Sequence, residues 1–178
     1  MPVDAAGPGL RLQGLPPLVS PETRVLVLGS FPGVASLVSR QYYGHPQNHF
    51  WKILVAVWPD GAPVVSGPAA HSYGERTAWL LSKGLGLWDV YASCEREGSL
   101  DSRIRKPEVN DFAALARRCP QLQAIAHNGG ESFKHSAHSI ATGLPVYKLP
   151  STSPANASWS FDRKLAAWRE VFERHGLT

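Results

Sequence analysis

Three short stretches of this chain concentrate amides, hydroxyls and aromatic rings. The first runs from GSFPG at Gly29–Gly33 to QYYGHPQN at Gln41–Asn48, the second is HNGG at His127–Gly130, and the third is PSTSPAN at Pro150–Asn156. Such groups suit recognition of a neutral planar group and stabilisation of an anion better than nucleophilic attack by a side chain. Tyr42 and Tyr43 offer ring faces on which a nucleobase can stack, with His45, His49 and His127 close by in sequence. Patterns that would point elsewhere are missing: there is no GxxxxGKS/T, no GxGxxG after the first apolar run, no HExxH and no GxSxG. Two cysteines, Cys94 and Cys119, are too few for a disulfide framework, a four-cysteine zinc site or an iron–sulfur cluster, and no metal or organic cofactor is expected.

These stretches need a scaffold that brings them together. Val25–Leu28 is an apolar run ending in Gly29 and reads as a buried strand emptying into a loop; Leu85–Val90, Leu122–Ala126 and Val146–Leu149 read as three more strands. Helices are predicted between them. One starts at Pro46 and carries Phe50, Ile53, Leu54 and Val57 on one face; others run from about Ala70 to Ser82, from a cap at Asn110, and from Glu131 to Ile140. A last helix starts at Ser158 or Ser160 and buries Phe161, Leu165, Trp168 and Phe172. This alternation predicts an α/β fold, a three-layer α/β/α sandwich around a four-stranded, mostly parallel sheet. Ligand sites in such sheets lie outside the carboxyl ends of the strands, so the three stretches should converge on one edge. The mixed-charge segment CEREGSLDSRIRKPEVND (94–111) reads equally as a functional loop or as a solvated excursion. Residues 1–22 are expected to form an arm with at most a short turn, and 23–178 a single domain.

A 178-residue chain that is 43% hydrophobic and 18% charged fits one compact soluble domain. It has neither an apolar run of membrane-spanning length nor a signal-peptide pattern, so a cytoplasmic location without membrane association is expected. A net charge of +4 weakly favours a polyanionic partner, and phosphates would then supply much of the affinity.

The order GSFPG, QYYGHPQNHFW and LPSTSPANA resembles the uracil-DNA glycosylase superfamily, and specifically its hypoxanthine-DNA glycosylase branch. The similarity extends from Arg24 to Trp168 and includes LWDV (Leu87–Val90) and EGSLDSRI (Glu97–Ile104). It implies a monofunctional DNA glycosylase of base excision repair. Such an enzyme acts as a monomer on DNA containing deaminated bases, flips the base, and hydrolyses the glycosidic bond of hypoxanthine or uracil. Mismatch-specific relatives carry GINPG, whose Asn positions the attacking water; here that position is Phe31, which cannot hold a water. By resemblance the role passes to Asn48, although Asn48 as a helix-start residue satisfying local amides remains an open reading.

The resemblance further implies a wall of Gly29, Ser30 and Phe31 with His45 beside the substrate, and Tyr43 stacking on the extruded base. Asn128 either reads the base edge or is a structural turn residue. Ser151 and Ser153 are implied to pinch the flanking phosphates, with Thr152 in the same DNA-contacting segment, and Pro154, Ala155 and Asn156 to push into the duplex; a capped turn is the alternative. Ser and Thr stand where many relatives have a His that stabilises the leaving base. That task would fall to turn amides and to the positive end of the helix starting near Pro46. No lysine stands in these motifs as a Schiff-base nucleophile, so strand cleavage is not expected. Two other readings stay open: a mismatch uracil/thymine glycosylase, and a damaged-DNA-binding module of the same fold with weak or no catalysis.

Overall fold

Val25, Leu26, Val27 and Leu28 are all buried to within 1% exposure, which requires a strand covered on both faces. The computed structural model describes residues 10–178; the first nine residues of the expected arm lie outside the described residues. In chain order the elements are β1 (Leu12–Gln13), β2 (Val25–Gly29), α1 (Val34–Ser39), α2 (Phe50–Val57), α3 (Tyr73–Ser82), β3 (Leu85–Asp89) and β4 (Tyr91–Glu95). There follow β5 (Arg105–Val109), α4 (Phe112–Arg117), β6 (Ala124–Asn128), α5 (Gly130–Phe133), α6 (Ser136–Ile140), β7 (Val146–Leu149) and α7 (Phe161–Arg174).

β3, β2, β6 and β7 form a parallel sheet in that order. Alternate side chains of β2 feed different layers. Val25 and Val27 join a core with Phe50, Ile53 and Leu54 of α2, Leu80 of α3, and Trp168 and Phe172 of α7. Leu26 and Leu28 face the other way, onto Phe112 and Leu115 of α4, Ile125 and Phe31. This is the expected three-layer α/β/α sandwich. The register pairs Gly29 with Asp89 and Asn128 with Leu149, so the carboxyl ends lie along one edge.

Five expectations need correction. The 94–111 segment is not a plain loop: β1, β4 and β5 make a small antiparallel sheet that flanks the sandwich. All five residues of β5 are exposed and Lys106 has φ 49°, so the segment carries no apolar alternation to betray a strand. The helix expected from Pro46 begins at Phe50, because Pro46 sits inside a turn closed by Asn48 N–H donating to the His45 carbonyl (3.0 Å). Helix α3 begins at Tyr73 rather than Ala70, where Ser72 and Glu75 form a capping box, and Asp111 rather than Asn110 caps α4. The single helix expected over 131–140 is two short ones, broken beside His135, whose ring bonds the Tyr91 hydroxyl (3.0 Å).

The part of the arm that is described is integral to the domain. β1 pairs with β4, Leu15 is buried in the α2/α7 core, and its carbonyl accepts the Trp88 indole N–H (3.2 Å). The Tyr42 hydroxyl donates to the Pro16 carbonyl (2.6 Å), tying the arm to the first polar stretch. Leu15→Ala is therefore expected to lower stability by about 2 kcal/mol or more in urea unfolding; a change below about 0.5 kcal/mol, the ordinary surface value, would detach the arm from the cooperative domain.

Candidate active site

The three polar stretches meet over the carboxyl edge of the parallel sheet, around a cavity of about 530 Å³, within the range of about 300–1,000 Å³ usual for small-molecule sites. Gly29, Ser30 and Phe31 supply one wall, Tyr43, His45 and Asn48 a second, and Asn128 stands at the end of β6. Ser151, Thr152, Ser153, Pro154, Ala155 and Asn156 close the remaining side. All three stretches thus border one space, although they come from positions over a hundred residues apart.

Asn128 joins the walls. Its Nδ2 donates to the Tyr43 hydroxyl (3.1 Å) and to Thr152 Oγ1 (3.1 Å), and its Oδ1 accepts the Thr152 N–H (3.0 Å). Both amide hydrogens are engaged, so the structural alternative for Asn128 is realised, with one Oδ1 lone pair left for a ligand. Gly129 has φ 97°, and a Cβ there would meet Ser151 Cβ at 3.0 Å, so glycine permits both the turn and the close approach of the third stretch.

Tyr43 holds an unusual backbone conformation for a side-chain-bearing residue, φ 54°. It is flanked by two anchors: Trp51 Nε1 donates to the Tyr42 carbonyl (3.0 Å), and Gly44 N–H donates to Ser36 Oγ (2.9 Å). The Tyr43 ring stacks on Phe50, centroids 4.2 Å apart and planes 27° from parallel. Burial, reinforced by the Asp89 charge, pushes its hydroxyl well above the ordinary tyrosine value, against the Asn128 hydrogen bond. The hydroxyl stays protonated and keeps its own hydrogen to donate.

Asn48 Oδ1 accepts the Phe50 N–H at 2.9 Å. The helix-start reading is therefore realised, and it leaves a second Oδ1 lone pair and the Nδ2 hydrogens unused among the described residues. One expectation is narrowed: at the start of α2 the Phe50 N–H is taken by Asn48 and the His49 N–H by the Thr152 carbonyl (2.9 Å), so these two amides are not free for an anion. Thr152 is also reassigned. Only 1% exposed, and bonded to Asn128 through both its hydroxyl and its N–H, it belongs to the cavity wall and cannot reach a phosphate. Ser151 and Ser153 stand nearer the surface, each hydroxyl accepting a backbone N–H two residues on (Ser153 and Ala155, both 3.1 Å). Lys164, buried behind this turn, reaches the Ser153 carbonyl (3.4 Å) and His49 Nδ1 (3.3 Å).

His127 lies outside the site. Fully buried between Ser132 Oγ and Ser139 Oγ (both 2.8 Å), it has its pKa pushed down to about 4 by burial and braces α5 and α6 against β6.

Sequence reasoning missed Asp89. It ends β3, lines the cavity, and is 3% exposed. A Cβ at Gly29 would lie 2.5 Å from Asp89 Oδ1, so the close approach of the carboxyl to β2 requires glycine there. Burial, and then the Asp101 charge, raise its pKa to about 7, with Arg96 opposing. The signal available in the sequence was a lone acid closing the apolar run LGLW. Also missed was the rim opposite the third stretch: Ser30 donates to Asp101 (2.7 Å) and the Val34 N–H to Ser99 (2.9 Å), which holds Leu100, 52% exposed, at the cavity mouth. Among the described residues no cluster of ligands could hold a metal ion.

Comparison with known proteins adds an independent line. The profile of the uracil DNA glycosylase superfamily matches residues 16–172. A hypoxanthine DNA glycosylase of Methanosarcina barkeri is 35% identical over 165 residues, covering 93% of this chain and all of the relative. A G/U mismatch-specific uracil DNA glycosylase of Schizosaccharomyces pombe is 28% identical over 146 residues, covering 79% of this chain and 41% of the relative. The solution NMR structure of a Methanosarcina acetivorans protein, described as a candidate uracil DNA glycosylase, superposes with a TM-score of 0.77 at 32% identity, covering 93% and 98% of the two chains.

The structure makes the Asn128 amide a cross-brace. Asn128→Ala is expected to cost about 1–3 kcal/mol in urea unfolding, because the buried Thr152 N–H loses its partner; an unchanged midpoint would contradict that role.

Proposed function

This chain belongs to the uracil-DNA glycosylase superfamily, and we propose that it hydrolyses the N-glycosidic bond of deaminated bases in DNA, hypoxanthine first and uracil second. The observation that carries the reading is the cavity itself. One chain supplies an aromatic ring, a carboxamide and hydroxyls around a space of nucleobase scale, and neither lysine nor cysteine lines it among the described residues. That composition favours attack by water over a covalent enzyme intermediate, and a site complete within one chain fits action as a monomer. The hypoxanthine preference rests on the likeness to the Methanosarcina barkeri enzyme over nearly the whole chain. The mismatch-specific relative leaves uracil as the second substrate.

In this reading the target nucleotide leaves the stack, at a cost of a few kcal/mol that is least for a mispaired base. The base lies against Tyr43, whose far side is supported by Phe50. As the C1′–N bond breaks, positive charge develops on the sugar and negative charge on the base. Water held by the second lone pair of Asn48 Oδ1 adds to C1′. Asn48 is fixed for this task because its first lone pair already caps α2. Ser151, Ser153 and the Pro154–Asn156 turn face the DNA on one side of the mouth, Leu100 on the other.

Single-turnover base release from duplexes carrying deoxyinosine or deoxyuridine tests this. The wild-type chain is expected to act on both and faster on deoxyinosine. Asn48→Ala is expected to be slower by about 100-fold or more with DNA affinity unchanged. Near-normal turnover by that variant would remove Asn48 from the chemistry, and a large excess on deoxyuridine would favour the mismatch uracil alternative.

A further inference from the structure

One buried polar group of the cavity stands without a partner among the described residues. Buried polar atoms almost always have partners, and the cavity obeys this through Asn128, Thr152 and Ser30. Asp89 breaks the rule. Neither carboxyl oxygen takes part in a hydrogen bond among the described residues, and Oδ2 is buried without one. The residue is held in place by its backbone, whose carbonyl accepts the Asn110 Nδ2 hydrogen (2.9 Å), and by the lack of a side chain at Gly29. A rigid, unpaired acid at the floor of a cavity is a group waiting for a ligand atom. An ionised carboxylate there would oppose a departing anion; a neutral carboxyl offers an O–H donor.

We propose that Asp89, as the neutral acid, donates its hydrogen bond to a ring nitrogen or carbonyl oxygen of the flipped base and so stabilises the leaving group. This rests on the glycosylase reading. It also supplies what the third stretch lacks, since Ser and Thr stand where a cationic donor would serve. When the C1′–N bond breaks, both bonding electrons go with the base, whose charge is drawn toward the Asp89 O–H. Water forms the new C1′–O bond and gives its proton to solvent, and the free base takes a proton from solvent.

The groups facing Asp89 favour the neutral form on balance. Asp101 stands at the rim, Tyr42 and Tyr43 remain protonated, and only Arg96, behind Phe31, favours the anion. The donor is present while the acid is protonated and is lost as pH rises through about 7.

The test is single-turnover release of hypoxanthine across pH 5.5–9 at saturating enzyme, using wild type, Asp89→Asn and Asp89→Ala, each first checked for DNA binding and thermal unfolding. The wild-type rate is expected to fall about tenfold per unit above the transition. Asp89→Asn, an uncharged donor that does not titrate, is expected to stay within about tenfold of the wild-type maximum and to lose the alkaline fall. Asp89→Ala is expected to run about 100-fold below the wild-type maximum with no alkaline fall, so that the two rates converge at high pH. A full-rate Asp89→Ala, or an Asp89→Asn that keeps the alkaline fall, overturns the assignment while leaving the glycosylase reading intact. If Asp89→Asn fails to fold, a flat wild-type profile overturns it just as directly. A wild-type chain that releases no base overturns both.

Discussion

The site depends on one carboxamide. Asn128 stands at the carboxyl end of a central strand and reaches sideways to Tyr43 and to Thr152, so three hydrogen bonds join the first polar stretch to the last. A buried Asn earns such a position only when both its hydrogens and its oxygen find partners, as they do here. The parallel sheet brings the strand ends to one edge, but it does not set the distance between the loops. Asn128 sets it, with glycine at 129 allowing Ser151 to come close.

The division of labour around the cavity follows from that brace. Residues whose polar groups are already paired, Thr152 and Asn128, serve as wall. Asn48 and Tyr43 keep more unused hydrogen-bonding capacity than these two. Asp89, whose carboxyl has no hydrogen-bond partner among the described residues, stands at the far end of this scale. Phe31 fits the same picture: it is buried beneath the Arg96 guanidinium, 5.2 Å away, and makes an apolar wall where the GINPG motif would place Asn.

Much of this was legible in the sequence, for identifiable reasons. The strands of the parallel sheet are apolar runs that stop at Gly, Asp, Asn or Pro, and their alternation with helices fixes the direction of every strand end. The last helix was readable from the spacing of Phe161, Leu165, Trp168 and Phe172 and from its Ser160 cap. The small antiparallel sheet was not, because β5 is exposed along its whole length and β1 is only two residues long. The start of α2 was misread because proline suits a turn's second position as well as a helix's first. Roles at the site were harder still. The sequence pointed to Asn128 at a strand end and to Thr152 as a DNA contact but did not reveal that they bond to each other, and a single acid such as Asp89 carries no spacing pattern at all.

The central claim is that this cavity releases a whole base by hydrolysis and leaves the sugar–phosphate backbone intact. Incubation of the wild-type chain with a deoxyinosine duplex, followed by mass spectrometry of both the small-molecule fraction and the DNA strand, reads this directly. Free hypoxanthine is expected and, in equal amount, an uncut strand carrying an abasic site. Binding without free base, or a strand already cut at the lesion before alkali is added, would contradict it.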